Sequence, residues 1–222
     1  MDVRKELEKV GCIRTGHFVG VSGKHLAGYC NNDRLLPHVS LVKRLVEELV
    51  ANFKDDNIEV VASPAVGAIP LSHWGAHYLM EMTGKEILGM WADKVSGTLE
   101  REFIFEREGF EEKIKGKRVL ILEDIINQMA SIKAMIKAVR EAGGIIVGIG
   151  SLEANRGVSA EAMDVSKFVQ LCSVEYEVWD PADCAVDGLC AKREPVVTDI
   201  GHGDDFQKAH PDYRGGFVKL LG

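Results

Sequence analysis

The sequence predicts an α/β fold: a mostly parallel sheet flanked by helices, with an N-terminal segment before it and a C-terminal appendage after it. Three observations carry that prediction. Short apolar runs alternate with stretches of helical period. The clearest unit, residues 118–152, reads strand, helix, strand: Val119-Leu120-Ile121-Leu122, then Ile132, Met135, Ile136 and Val139 at helical spacing, then Ile145–Ile149 after a Gly143-Gly144 stop. From Trp179 onward, turn formers such as Pro181, Gly188, Pro195, Gly201 and Gly203 replace any long periodic run.

The elements follow in order. Asp2–Val10 has the pattern of a short amphipathic helix. Ile13–Val21 and Leu26–Asn31 flank the turn Ser22-Gly23-Lys24-His25, as in a hairpin. Val39–Phe53 is a strong helix, with Leu41, Leu45, Leu49 and Val42, Val46, Val50 forming one apolar stripe. Asp55-Asp56-Asn57 breaks it, Ile58–Ala62 is a buried strand and Ser63–Ala68 a loop. Ile69–Thr83 is a helix with Pro70 in its first turn and Gly84 as its stop. Glu86–Trp91 is another strand, and Val169–Val174 a last one near the sheet edge. Between them, Ser96–Lys117 is charged and poorly patterned; Phe103-Ile104-Phe105 and Phe110 alternate with charges as in a hairpin, and the length marks a mobile excursion. The expected organisation is a single domain over 1–222, with an N-terminal segment 1–38, an α/β core 39–178 and an appendage 179–222 packed on it.

A chain of 222 residues is long enough for one sizeable core, and its net charge of −7 argues against a general binder of nucleic acid or anionic membranes. No apolar run approaches a membrane span, and the charged first helix lacks a signal-peptide core. Five cysteines, an odd number, point to reduced thiols in the cytoplasm.

In open α/β sheets ligands bind beyond the carboxyl ends of the strands. Glu123 and Asp124 stand at such an end. Two carboxylates there can accept hydrogen bonds from vicinal hydroxyls or hold Mg²⁺ through water; alternatively they only favour the dipole of the following helix. Asn127–Ser131 leads into that helix and offers an anion site, with Ser131 as an added hydroxyl donor or simply as an N-cap. The segment has no glycine. If Met129 or Ala130 needs positive φ, the cost is about 1–2 kcal/mol. Cys184 and Cys190 are separated by five residues and His202 and His210 by seven, outside the usual zinc-ligand spacings, so no metal set is expected and the thiols read as buried or idle. His17 and His25 read as hydrogen-bonded structural histidines.

The run Val119–Ser131 resembles the fingerprint of the type I phosphoribosyltransferases: four apolar residues, an acidic pair, and a closing Ser/Thr. Asn127, Gln128, Met129 and Ala130 stand where that fingerprint has Thr, Thr, Gly and Gly. Gly16-His17-Phe18, Ser22–His25, Tyr29 and Asn32-Asp33 resemble the N-terminal hood of orotate phosphoribosyltransferases; Ser63–Pro70 is similar to their pyrophosphate loop, Ala92-Asp93-Lys94 to the site of a basic pair, and Trp179–Gly203 to the tail of a subgroup. The resemblance covers residues 10–205. It implies transfer between 5-phosphoribosyl 1-diphosphate, bound with Mg²⁺, and a nucleobase, here orotate, giving orotidine 5′-phosphate and diphosphate. The residues it implies are Glu123 and Asp124 on the ribose hydroxyls, Asn127, Gln128, Met129, Ala130 and Ser131 around the 5′-phosphate, Ala65, Val66, Gly67 and Ala68 against the diphosphate, and Lys24 near phosphate or base. Lys94, Asp124, Arg101 and Arg107 would be the catalytic set. Residues 96–113 would close over the site across a homodimer, although this lid carries Glu100, Glu102, Glu106, Glu108, Glu111 and Glu112 against two arginines. The alternative is a degenerate relative that binds or senses a nucleotide without catalysis.

Overall fold

The computed structural model describes residues 1–20, 22–97, 101–127 and 129–221, which form two compact units. One comprises Met1–Glu6 and Asn32–Val174, the other Leu7–Asn31 and Glu175–Gly222. In chain order the elements are α1 (Val3–Lys9), β1 (Ile13–Val19), β2 (His25–Cys30), α2 (Val39–Val50), β3 (Val60–Pro64), α3 (Ile69–Thr83), β4 (Leu88–Lys94), β5 (Phe103–Ile104), α4 (Phe110–Ile114), β6 (Arg118–Ile126) and α5 (Ala130–Glu141). There follow β7 (Ile145–Asn155), α6 (Ala160–Met163), β8 (Phe168–Val174), β9 (Val178–Trp179), α7 (Pro181–Val186), β10 (Val196–Gly201), α8 (Gly203–Ala209) and β11 (Phe217–Val218).

The first unit is an α/β layer structure on a six-stranded sheet of order β5-β4-β3-β6-β7-β8. All neighbours are parallel except β5, which runs antiparallel to β4 through Asp93↔Ile104 and Lys94↔Phe103. The aromatic alternation at Phe103 is therefore a short edge strand against β4. Strand β3 is buried at every position, as a parallel strand covered on both faces must be. The stripe on α2 buries all six of its expected residues, and Gly84 closes α3 in the left-handed conformation at φ 68°. Gly75 lets α3 press on the sheet: a Cβ there would stand 2.6 Å from Leu122 Cδ1. On one side of the core, Val60, Ala62, Val119, Ile121, Ile132, Met135 and Val139 pack together.

The second unit is a five-stranded sheet of order β11-β10-β1-β2-β9. The expected hairpin is present, β1 antiparallel to β2. The tail is richer in structure than its turn formers suggest: β10 runs parallel to β1, with His17↔Val196, and β9 pairs with β2. Val197 and Ile200 form a small core with Phe18, Leu26 and Tyr29. Asp199 interrupts the apolar pattern of β10 because its carboxylate accepts the backbone N–H groups of Leu220 and Leu221, at 3.0 and 2.6 Å. Among the described residues no helix is long and apolar enough to cross a membrane.

Candidate functional site

Strand β3 has β4 on one side and β6 on the other, so the chain's path across the sheet reverses between β3 and β6. The crevice beyond the carboxyl ends of the strands at such a switch point is where open α/β sheets take ligands. Three segments converge there: the loop 65–68 after β3, the end of β6, and the start of α5.

The loop is anchored by the Ala65 N–H, which donates to the Ala92 carbonyl at 2.9 Å. The Ala65–Val66 peptide is cis. No side chain caps α3, whose first turn carries Pro70. Gly67 faces the acidic pair directly: a Cβ on it would lie 3.2 Å from Asp124 Oδ2.

Glu123 and Asp124 occupy the last turn of β6 before the strand runs out at Ile126. Glu123 is 5% exposed and Asp124 half-buried. Glu123 Oε1 accepts the Asp124 N–H at 3.2 Å, and Asp124 Oδ1 accepts the Ile125 N–H at 2.8 Å. Burial, reinforced by the adjacent Asp124 charge, raises the Glu123 carboxyl well above its ordinary 4.5, while Arg101 pulls weakly the other way. Among the described residues neither carboxylate is in an ion pair, so both remain available to hydroxyl donors.

The start of α5 corrects one expectation. Its N-cap is Met129, not Ser131, and no side chain caps the helix. Ser131 lies inside the first turn, where its Oγ accepts a hydrogen bond from Arg101 Nη1. Open backbone N–H groups, a hydroxyl and a guanidinium thus share the helix terminus, an arrangement suited to an anion. Met129 adopts φ 48°, the left-handed region that glycine would occupy at no cost. Its side chain is half-buried against the apolar core of the unit. Half-burying a methionine stabilises by about 1 kcal/mol, comparable to the 1–2 kcal/mol that the left-handed backbone costs. That balance accounts for a left-handed residue at the start of α5 without glycine.

The other expected residues are distributed less tightly. Lys94 is exposed at the end of β4, where its backbone pairs with Phe103. Arg107 is engaged elsewhere: its fork holds Asp93 at 2.7 and 3.0 Å and lies over the Trp91 ring. Asn127 is exposed. Gln128, and Thr98–Glu100 of the expected lid, lie outside the described residues. Lys24 belongs to the second unit and pairs there with Asp180 at 3.5 Å. A groove of about 550 Å³ bounded by Arg140, Ile145, Glu161 and Asp164 lies at the amino end of β7, the opposite end from the acidic pair. Sequence reading missed the contact of Arg101 with Ser131 and the capture of Arg107 by Asp93; an acidic residue beside an arginine-bearing lid was the available signal for the second.

No protein-family model matches the chain. Curated relatives do. The chain is 33% identical over 192 residues to the orotate phosphoribosyltransferase of Pelotomaculum thermopropionicum, covering 86% of this chain and 91% of that protein. It is 30% identical over 197 residues to the protein of the same name from Desulforamulus reducens, covering 85% and 90%. The crystal structure of orotate phosphoribosyltransferase from Aeropyrum pernix shares the fold, with a TM-score of 0.56 at 24% identity over 78% of this chain and 94% of that one. The fingerprint at Val119–Ser131, its place at the switch point of the sheet and these similarities over most of both chains agree, and the chain belongs to the orotate phosphoribosyltransferase family.

Proposed function

We propose that this protein transfers the phosphoribosyl group of 5-phosphoribosyl 1-diphosphate to orotate, releasing diphosphate and orotidine 5′-phosphate. Family membership supports the reaction type. One structural observation carries the assignment of residues: the loop 65–68, Asp124 and the Arg101–Ser131 pair meet at one strand-end crevice.

In this reading Glu123 and Asp124 accept hydrogen bonds from the ribose 2′- and 3′-hydroxyls and fix the sugar. The buried, raised Glu123 suits a neutral hydroxyl partner, because burial and the Asp124 charge outweigh the pull of Arg101. Backbone N–H groups at the start of α5, Ser131 and Arg101 hold the 5′-phosphate. The 65–68 backbone faces the diphosphate, and Lys94 at the end of β4 offsets its charge. Breaking the bond at C1 builds positive charge on the ribose and negative charge on the leaving group. Residues fixed in advance lower that barrier by preorganised electrostatics and by excluding water. The donor beside Gly67 is the Asp124 carboxylate, a hard oxygen that fits Mg²⁺. Bound with the diphosphate, Mg²⁺ would help neutralise the leaving group. The reading also takes a homodimer in the cytoplasm, with residues 96–113 as the closing segment.

The test is consumption of orotate, followed by its ultraviolet absorbance, with 5-phosphoribosyl 1-diphosphate and Mg²⁺. Turnover yielding orotidine 5′-phosphate is expected. Saturable nucleotide binding with no turnover at high protein concentration would select the degenerate binding protein instead. Sedimentation equilibrium tests the dimer.

A further inference from the structure

The second unit gathers four soft donors that the reaction does not use. His17 lies on β1, His25 opens β2, Cys184 sits in α7 and Cys190 lies just beyond it. One donor atom from each falls within 4.8 Å of all the others. His17 Nε2 is 2.6 Å from His25 Nδ1, and Cys190 Sγ lies 3.4 Å from His25 Nδ1 and 3.8 Å from His17 Nε2. Both histidines are at most 2% exposed and Cys184 is fully buried. By sequence spacing the two cysteines make no metal set with His202 and His210. The structure places His17 and His25 with them instead, from a hairpin more than half the chain away.

We propose that His17, His25, Cys184 and Cys190 form a structural zinc site that joins the β1–β2 hairpin to the C-terminal segment. A Cys₂His₂ set is the donor chemistry of tetrahedral structural zinc, and soft thiolates with imidazoles select it over Mg²⁺. With Zn–N of about 2.0–2.1 Å and Zn–S of about 2.3 Å, donor pairs stand roughly 3.3–3.8 Å apart. The two sulfur–nitrogen distances already match, and the histidine pair widens by less than 1 Å on loading.

The surroundings are those of a ligand set. A carbonyl oxygen can only accept, so His17 Nδ1 donates to the Glu194 carbonyl at 3.0 Å. This fixes the tautomer and leaves the Nε2 lone pair facing the cluster, as the outer partner of a metal-bound histidine does. Tyr213 donates to the same carbonyl at 2.8 Å. The Cys190 N–H donates to Cys184 Sγ, 3.2 Å away, and so turns the two thiols toward one another. Gly188 is required for that turn: a Cβ would stand 2.8 Å from Cys184 Cα and 3.0 Å from its sulfur. Burial and the neighbouring Cys184 push the Cys190 thiol up, and burial pushes His25 down. The enclosure therefore disfavours a charge on Cys190 or His25 alone. A divalent cation with two thiolates and two neutral imidazoles has no net charge. The site closes a cross-link between segments that are distant in sequence, and a clip of that kind restricts the unfolded chain most.

The test is the metal content of the full chain, purified without a chelating tag and measured by plasma mass spectrometry, followed by exchange with Co²⁺. One zinc per chain is expected, together with sulfur-to-cobalt charge-transfer bands and the intense visible bands of tetrahedral cobalt. Cys190→Ser and His25→Ala should lose the metal and the bands, and Cys30→Ser should keep both. A chelator should lower the melting temperature of the unaltered protein and not that of Cys190→Ser. Metal-free protein whose Cys184 and Cys190 titrate as free thiols, or that carries a Cys184–Cys190 disulfide, would overturn the proposal. Cobalt spectra lacking charge transfer would do so as well, even if the variants fail to fold.

Discussion

Gly67 and Asp124 face each other across the crevice so closely that one added methyl group on the glycine would stand 3.2 Å from the carboxylate oxygen. That spacing is tight for a carbon against an oxygen, and on the proposed function the added methyl would also intrude on the diphosphate. Gly67→Ala should raise KM for 5-phosphoribosyl 1-diphosphate at least about tenfold, the effect of one methyl group misplaced in a close-fitting site. Its melting temperature should stay near that of the parent, because the loop is at the surface. Unchanged KM in steady-state assays would separate the loop from the substrate.

Glu123 carries a pH prediction whose sign follows from its burial. Its carboxyl is raised above 4.5 in the folded chain. Between the ordinary value and the raised one, the folded protein binds more protons than the unfolded chain, so stability falls as pH rises through that window. Below 4.5 both states are protonated and the contribution vanishes. Glu123→Gln removes the effect: the variant should match the parent near pH 4 and exceed it in denaturation midpoint toward neutral pH. The same change should lower kcat/KM, because a carboxylate acceptor for a ribose hydroxyl is replaced. A variant that loses activity without gaining stability toward neutral pH would count against a carboxyl raised by burial.

Met129 separates backbone from side chain. Met129→Ala keeps the Cβ that makes φ 48° costly and loses the packing. Met129→Gly loses the same packing and relieves the backbone. The glycine variant should therefore be more stable than the alanine variant by about 1 kcal/mol, measured by urea unfolding. Equal stabilities would mean that the left-handed turn is not held in solution.

The two lid arginines should behave differently. Arg101 reaches Ser131 at the helix start, whereas Arg107 is committed to Asp93. A charge-assisted hydrogen bond to a phosphate is worth about 1.5–3 kcal/mol, so Arg101→Ala should raise KM for 5-phosphoribosyl 1-diphosphate roughly ten- to a hundredfold. Arg107→Ala should change KM little and shift the melting temperature only slightly, since its ion pair is solvent-exposed. Steady-state kinetics of both variants under one ionic strength decides the point.

Ser63 offers a simpler check. Its hydroxyl is buried in β3 and, among the described residues, has no hydrogen-bond partner. Removing a polar group that has only been desolvated costs nothing, so Ser63→Ala should match or exceed the parent in thermal stability.

What the sequence revealed was largely what local patterning determines. The βαβ unit over 118–152, the stripe of α2, the glycine stop of α3 and the acidic pair at a strand end all follow from period and breaker residues within a few positions. The missed features depend on partners remote in sequence. Nothing near Val196 says that it will pair with His17, and Asp199 disguises the strand by reaching out to Leu220 and Leu221. The cap reading of Ser131 rests on residue type, whereas the helix starts two residues earlier, with Met129 as its N-cap. Cys184 and Cys190 were compared with the nearest downstream histidines, whereas the strand pairing of the hairpin supplies two from upstream.

The pairing of β1 with β10 has a consequence for how the molecule is made. During synthesis the hairpin emerges early, yet the strand that borders its inner edge is translated roughly 180 positions later. For that interval a ribosome-bound chain exposes unsatisfied main-chain amides and carbonyls along β1, an open template for another nascent polypeptide. Maturation of this half is thus gated by translation reaching the final stretch, and chaperone demand should be concentrated on the early-made hairpin.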